Sequence, residues 1–215
     1  MTVAVIADIV GSRRLADRAG AQAEIDAAIE RVETDRPGAV ERLRATAGDE
    51  FQGVYPDLAS ALGATLLLQL ALPDGIELRF GLGLGPIQTI SSAAGAIPEG
   101  PGWWVARDAI ETVEAKQRRA APSARTWIRR SDEEDAGMQP TIDMANAYVL
   151  VRDELVGAMS ERARRLTYGR CLGRTQSDLA HDEGITQPAV SQTLAGAGAS
   201  AVVEGFLALE AGVTV

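Results

Sequence analysis

The sequence predicts an α+β fold, a ferredoxin-like N-terminal domain joined to an all-α module that carries a helix-turn-helix. Three observations predict it. Strand-like and helix-like stretches alternate as β-α-β-β-α-β over the first half of the chain, the split βαβ order. An acidic segment closed by proline, Ser131–Pro140, then interrupts the pattern. Beyond it the apolar spacing is helical throughout. The division this gives is 1–130 for the ferredoxin-like domain, 131–140 for an acidic linker and 141–215 for the helical module, with the helix-turn-helix at about 175–195.

Taken in order, Val3–Ala7 is a continuous apolar run rich in β-branched residues, as a buried central strand requires, and it ends in Asp8-Ile9-Val10-Gly11-Ser12. An amphipathic helix covers roughly Gln22–Glu33, and Pro37-Gly38 breaks the chain after it. Val40–Ala47 and Phe51–Tyr55 are strands joined by the tight turn Gly48-Asp49-Glu50. Asp57 stands where it would cap the apolar helix Leu58–Leu72, which stops at Pro73-Asp74-Gly75. Ile76–Leu84 is the next strand, a helix runs from about Trp103 to Arg119, and Ala124–Ile128 is the last strand. After the linker a long helix is expected around Asp143–Leu166.

Composition narrows the function classes. At 215 residues, 46% hydrophobic and a mean hydropathy of -0.01, the chain reads as an ordinary globular protein. No apolar run reaches the ~20 residues of a membrane-spanning helix. The N-terminus lacks the basic start of a signal peptide, and the single cysteine, Cys171, excludes an intrachain disulfide. Together these predict a cytoplasmic protein with no membrane partner. A net charge of -9 argues against non-specific nucleic-acid binding by the whole chain.

Asp8 and Asp49 are the candidate metal ligands. A ferredoxin-like sheet can set the end of the first strand beside the hairpin that carries Asp49, and two carboxylates meeting there repel unless a cation lies between them. Oxygen-only ligands suit Mg²⁺ or Mn²⁺, with water and phosphate filling the other positions. The backbone N–H groups of Ile9, Val10, Gly11 and Ser12 are placed to cradle a phosphate, and Gly11 lets it approach closely. Each aspartate also has a plainer role, as a helix cap or as turn chemistry. Glu50 reads as a solvated turn residue, Arg107 as a structural ion pair or a phosphate contact, and Trp103-Trp104 as a core plug or a stacking surface for a base.

These stretches resemble a known group. Ala7–Ser12 is similar to the metal-binding strand end of class III nucleotidyl cyclases, and Thr46–Phe51 (TAGDEF) resembles their second metal hairpin and the related GGDEF signature. Arg79–Gly85 (RFGLGLG) looks like a following cyclase strand, and Val105-Ala106-Arg107 matches the end of the motif whose arginine stabilises the transferring phosphates. The resemblance implies a palm domain, a metal at Asp8 and Asp49, Arg107 as the candidate catalytic residue and a homodimer. Trp103 stands where a cyclase has its ribose-orienting asparagine, and Ala45 where it has a purine-reading lysine, so purine cyclisation is not expected.

Thr175–Leu194 (TQSDLAHDEGITQPAVSQTL) carries the second motif. Thr175 and Thr186 are N-caps of two short helices, Pro188 lies in a first turn, and Gly184 can take the left-handed conformation between them. It resembles the helix-turn-helix of bacterial regulators and sigma factors. Thr186, Gln187, Ser191 and Gln192 would face base edges, while Arg170 and Arg174, in a run with Arg162, Arg164 and Arg165, would meet phosphates. A helical bundle that keeps this geometry for packing is the alternative. His181 is expected to be solvated and Cys171 a small packing residue.

The full layout, DIVGSR, GDEF, WWVAR and the terminal TQSDLA…GITQPAVSQTL, resembles the SatD family. The functional expectation is a regulator whose palm binds a nucleotide or phosphate ligand with a divalent metal and whose helix-turn-helix binds DNA. The alternatives are a metal-dependent nucleotidyl or phosphoryl transferase and a degenerate palm used for assembly.

Overall fold

A computed structural model describes residues 2–46, 48–92 and 95–213. Its centre is a five-stranded sheet in the order β2-β3-β1-β4-β7, built from β1 (Val3–Ile9), β2 (Glu41–Ala45), β3 (Glu50–Tyr55), β4 (Leu78–Leu84) and β7 (Thr126–Arg130). Strand β1 runs antiparallel to both β3 and β4, and β2 is antiparallel to β3. The first four strands, with α1 (Arg18–Asp35) and α2 (Leu58–Ala71) as crossovers, thus have the ferredoxin-like order. Strand β7 extends that sheet in parallel with β4. A separate hairpin, β5 (Gln88–Ser92) with β6 (Gly95–Glu99), precedes α3 (Pro101–Arg119).

The two faces of the sheet arise from the two-residue period of its strands. Val3, Val5, Ala7 and Ile9 of β1 join Phe80, Leu82 and Leu84 of β4 in the main core with α1 and α2. Ala4 and Ile6 face the other way, onto Trp103, Ala106 and Ile110 of α3. On β4 the α3 side carries Arg79, Gly81 and Gly83, and the glycines explain how closely the helix lies. A Cβ at Gly81 would sit 2.3 Å from the Ala106 carbonyl oxygen, and one at Gly83 2.0 Å from that of Gly102.

Helix α2 is buried nearly all round, Ala61 and Leu66–Leu68 included, which requires cover on two sides. The sheet supplies one. The other comes from α5 (Glu161–Cys171) and α8 (Ala199–Val213), so the main core runs from Val3 to Phe206 without a break. The segment expected as a linker is a folded corner: Ser131 is buried, Ala136–Met138 form a 3₁₀ turn, and α4 (Gln139–Gly157) starts with Pro140 in its first turn. The single long helix expected at Asp143–Leu166 is two, because the Ser160 hydroxyl accepts the Ala163 N–H and starts α5 afresh.

Helix α4 closes the β7 edge of the sheet with side chains. Asn146 Oδ1 accepts the Ile128 N–H at 2.9 Å and its Nδ2 donates to the Ile128 carbonyl at 3.0 Å. Asp153 Oδ2 accepts the N–H groups of Arg125 and Thr126 at 2.7 and 2.8 Å. These take the bonds that a further strand would make. Asp153 is itself paired with buried Arg152 at 2.8 Å. Among the described residues no single helix is long and apolar enough to cross a membrane.

Candidate functional site

Asp8 lies at the end of β1 on the α3 face, with Glu50 opposite it on β3 and Arg79 opposite it on β4. Arg79 grips both carboxylate oxygens, Nε to Oδ1 at 2.8 Å and Nη2 to Oδ2 at 2.9 Å. Its Nη1 donates to Gln117 Oε1 at 3.1 Å and lies 3.4 Å from Glu114 Oε1. The close approach of α3 over Gly81 and Gly83 is what brings Glu114 and Gln117 within reach. This forked pair is the strong form of carboxylate recognition, and Arg79 is buried.

Beyond Asp8 the chain turns through Gly11, which is left-handed at φ 68°, into the 3₁₀ turn Ser12–Arg14. Asp17 then caps α1 by accepting the Gly20 N–H at 2.8 Å. A cavity of about 680 Å³ opens over this loop, lined by Asp8, Ile9–Arg14, Asp49, Arg79, Glu114, Gln117 and Arg118. It gathers both predicted aspartates and the predicted phosphate loop, Ile9, Val10, Gly11 and Ser12, but the Val10 N–H expected to face a phosphate is taken by the Glu77 carbonyl at 2.9 Å. Its charge comes from four arginines against three carboxylates. Among the described residues Arg13 and Arg14 make no ion pair and both are exposed.

The donor set can be judged against a divalent cation. Asp8 and Asp49 share the cavity, but both Asp8 oxygens already accept from Arg79, and no group of three histidine, cysteine or carboxylate side chains able to hold a metal occurs among the described residues. Two carboxylates, one of them shared, are too sparse for a bare cation. They suit Mg²⁺ or Mn²⁺ arriving with a phosphate that supplies the remaining oxygens.

Arg107 is elsewhere. Its guanidinium forks onto Glu50, with Nη2 to Oε1 at 2.7 Å, and Gln52 Nε2 also donates to Glu50 at 2.9 Å. Glu50, expected to be solvated, is therefore a partly buried anchor, and its hydrogen bonds hold Arg107 firmly protonated. Arg107 lines a second cavity, of about 360 Å³, with Ile6, Gln52, Pro98, Glu99, Trp103, Trp104 and Asp108. Of the two tryptophans, Trp103 is core and Trp104 is 58% exposed, with its Nε1 donating to Glu99 at 3.0 Å.

In the C-terminal module α6 (Gln176–Asp182) and α7 (Gln187–Gly196) begin as predicted. Thr175 and Asp178 form a reciprocal capping box, Thr186 caps α7, and Gly184 is left-handed at φ 63°. Gln187, Ser191 and Gln192 are exposed on α7. The arginines predicted to serve them are engaged within the chain. Arg165 forks onto Glu183 at 2.8 and 2.9 Å, Arg174 pairs with Asp182, and Arg170 donates to the Arg174 carbonyl. Arg164 reaches Asp74, between α2 and β4, at 2.7 Å. His181 is exposed, and burial pushes the Cys171 thiol up to about 12.

Sequence reasoning singled out neither Arg79 nor Arg13 and Arg14 as site residues. A signal existed for both: Arg79 shares the two-residue period of Gly81 and Gly83, and Arg13-Arg14 directly follows the Gly11-Ser12 loop.

The sheet order, its crossover helices on one face and the loop cavity at the end of its first strand define a ferredoxin-like palm with helices added beyond it. The SatD family pattern matches residues 2–147, and the chain belongs to the SatD family. No curated relative matches it. Among solved structures it is similar to a bacterial light-regulated adenylyl cyclase, at 14% identity and TM-score 0.39, covering 56% of this chain and 71% of that one. A dimeric guanylyl cyclase domain of the RhoGC fusion protein from the aquatic fungus Blastocladiella emersonii gives 19% and 0.40, covering 52% and 73%. The adenylyl cyclase CyaB from P. aeruginosa gives 10% and 0.38, covering 55% and 81%.

Proposed function

We propose that this chain binds a phosphate-bearing ligand, of the nucleotide class, together with Mg²⁺ or Mn²⁺ in the cavity at the end of β1. One observation carries this reading: the same cavity collects Asp8, Asp49, the Ile9–Ser12 loop and two arginines, Arg13 and Arg14, that lack an ion pair among the described residues. Exposed guanidinium groups beside the turn at Gly11 and Ser12 are a phosphate's chemistry. The two carboxylates would hold the cation against the phosphate. A transferase reading has less support, because Arg107 is spent on Glu50 and lines the neighbouring cavity.

Thermal melts with Mg²⁺ and inorganic pyrophosphate test it. At a pyrophosphate concentration ~100 times the dissociation constant the midpoint should rise by about 5 °C or more. Asp49→Ala should abolish the rise without unfolding the protein, because Asp49 sits on a turn where no described residue pairs with it. An unchanged midpoint with either metal would refute the reading.

A second reading, that the α6–α7 pair binds DNA, is favoured by the exposed, uncharged polar face of Gln187, Ser191 and Gln192. With Arg162, Arg164, Arg165 and Arg174 paired to carboxylates, such binding would show a shallow salt dependence. Absence of any complex with mixed genomic fragments at 50 mM salt or below would eliminate it.

A further inference from the structure

The cavity that holds Arg107 has no part in the phosphate reading, yet the strand register sets it beside the phosphate cavity. Asp8 and Ile6 point to the same face of β1, two residues apart, which is about 7 Å along a strand. Glu50 stands opposite Asp8 and Gln52 opposite Ile6 on β3. Asp8 lines the loop cavity, while Ile6 and Gln52 of the next row line the other. Glu50, opposite Asp8, is paired with Arg107, which lines the second cavity.

The walls of the second cavity are aromatic. Trp104 is 58% exposed, so much of its indole is open to a ligand. Trp103, which lines the same cavity, is 7% exposed and its indole Nε1 is buried with no hydrogen-bond partner. Gln52 donates its amide N–H to Glu50, which leaves its carbonyl oxygen as an acceptor, and the Asp108 carboxylate lines the same cavity. Aromatic faces with nearby acceptors fit a flat heterocycle carrying N–H groups.

We infer that the ligand is a nucleoside di- or triphosphate laid along β1, its phosphates in the Asp8–Arg14 cavity and its base against Trp104 in the Gln52–Arg107 cavity. This rests on the phosphate reading above and adds a base subsite to it. The span of about 7 Å between the rows matches a ribose between phosphate and base.

The test compares inorganic pyrophosphate with ADP and GDP by titration calorimetry in Mg²⁺, on the full chain and on Trp104→Ala. The exposed position of Trp104 makes that variant a safe one, and a thermal melt checks it. At least one nucleoside diphosphate should bind about tenfold tighter than pyrophosphate. Trp104→Ala should erase that advantage and leave pyrophosphate affinity unchanged. Tryptophan fluorescence should fall with the nucleotide and not with pyrophosphate. Equal affinity for pyrophosphate and both nucleotides overturns the base subsite alone, as does an advantage that survives Trp104→Ala. If pyrophosphate and both nucleotides fail to bind, the phosphate reading falls with it.

Discussion

Arg13 and Arg14 follow the β1 loop, while Arg162, Arg164, Arg165, Arg170 and Arg174 stand on α5 or just after it. By sequence it is the second group, a cluster within one short stretch, that is expected to meet phosphates. The structure reverses that expectation. Arg165 and Arg162 converge on Glu183, Arg174 pairs with Asp182, and Arg164 ties α5 to Asp74, so that of the five only Arg170, on the Arg174 carbonyl, lacks a carboxylate partner among the described residues. The loop pair makes no ion pair among the described residues and lines a cavity. A guanidinium attracts a ligand phosphate only to the extent that its own chain has not already neutralised it. Counting arginines along a sequence cannot make that distinction; the register of α5 against α6 does.

The most committed arginine sets the largest expected effect. Arg152 and Asp153 have side chains 1% and 0% exposed, and Asp153 also holds two N–H groups at the start of β7. Asp153→Ala would strand a buried cation, two backbone N–H groups and the Gln69 amide, and should cost about 3–5 kcal/mol in urea denaturation. A loss under ~1 kcal/mol would mean that α4 does not lock the sheet edge. At the uncommitted end, changing Arg13 and Arg14 together to Ala should weaken pyrophosphate binding by about tenfold or more. Stability should stay within ~0.5 kcal/mol. Arg165→Ala should do the opposite, lowering stability by less than ~1 kcal/mol and leaving pyrophosphate affinity alone. Equal effects of the two variants on binding would erase the contrast.

The features legible in the sequence are those that local chemistry decides. The caps at Asp57, Thr175 and Thr186, the left-handed Gly184 and the alternation of β4 all depend on a few neighbouring residues, and all are readable. The convergence of Asp8, Asp49 and the 9–12 loop on one cavity is readable too, because strand order fixes it. The Asp8–Arg79 fork is not, since it joins residues 71 apart whose register only the closed sheet sets. Nor is the fate of Ser131–Pro140: an acidic composition marks a surface segment, and it says nothing of Asn146 and Asp153 closing β7 from the far side. Trp103 and Trp104 are separable in principle, because neighbours on a helix point about 100° apart and only one can face the sheet.

The smallest expected effect is a pH dependence confined to the helical module. The fork from Arg165 holds the Glu183 carboxyl below the usual carboxylate range, and the Thr175 hydroxyl does the same for Asp178. A carboxylate whose folded pKa is depressed adds stability above its unfolded pKa, near ~4.3 for glutamate, and loses it as pH falls through the folded value. Glu183→Gln removes that contribution at every pH. The difference in stability between the protein and this variant should therefore be constant from about pH 5.5 to 7 and shrink toward zero as pH falls through the folded value of Glu183, with a full size under ~1 kcal/mol because the pair is partly solvated. A difference that persisted at that acid limit would mean that Glu183 acts by packing and not by charge. Arg165 would then be held by the fold more than by its partner, and the α5 arginines would be nearer to a free anion surface than their ion pairs imply.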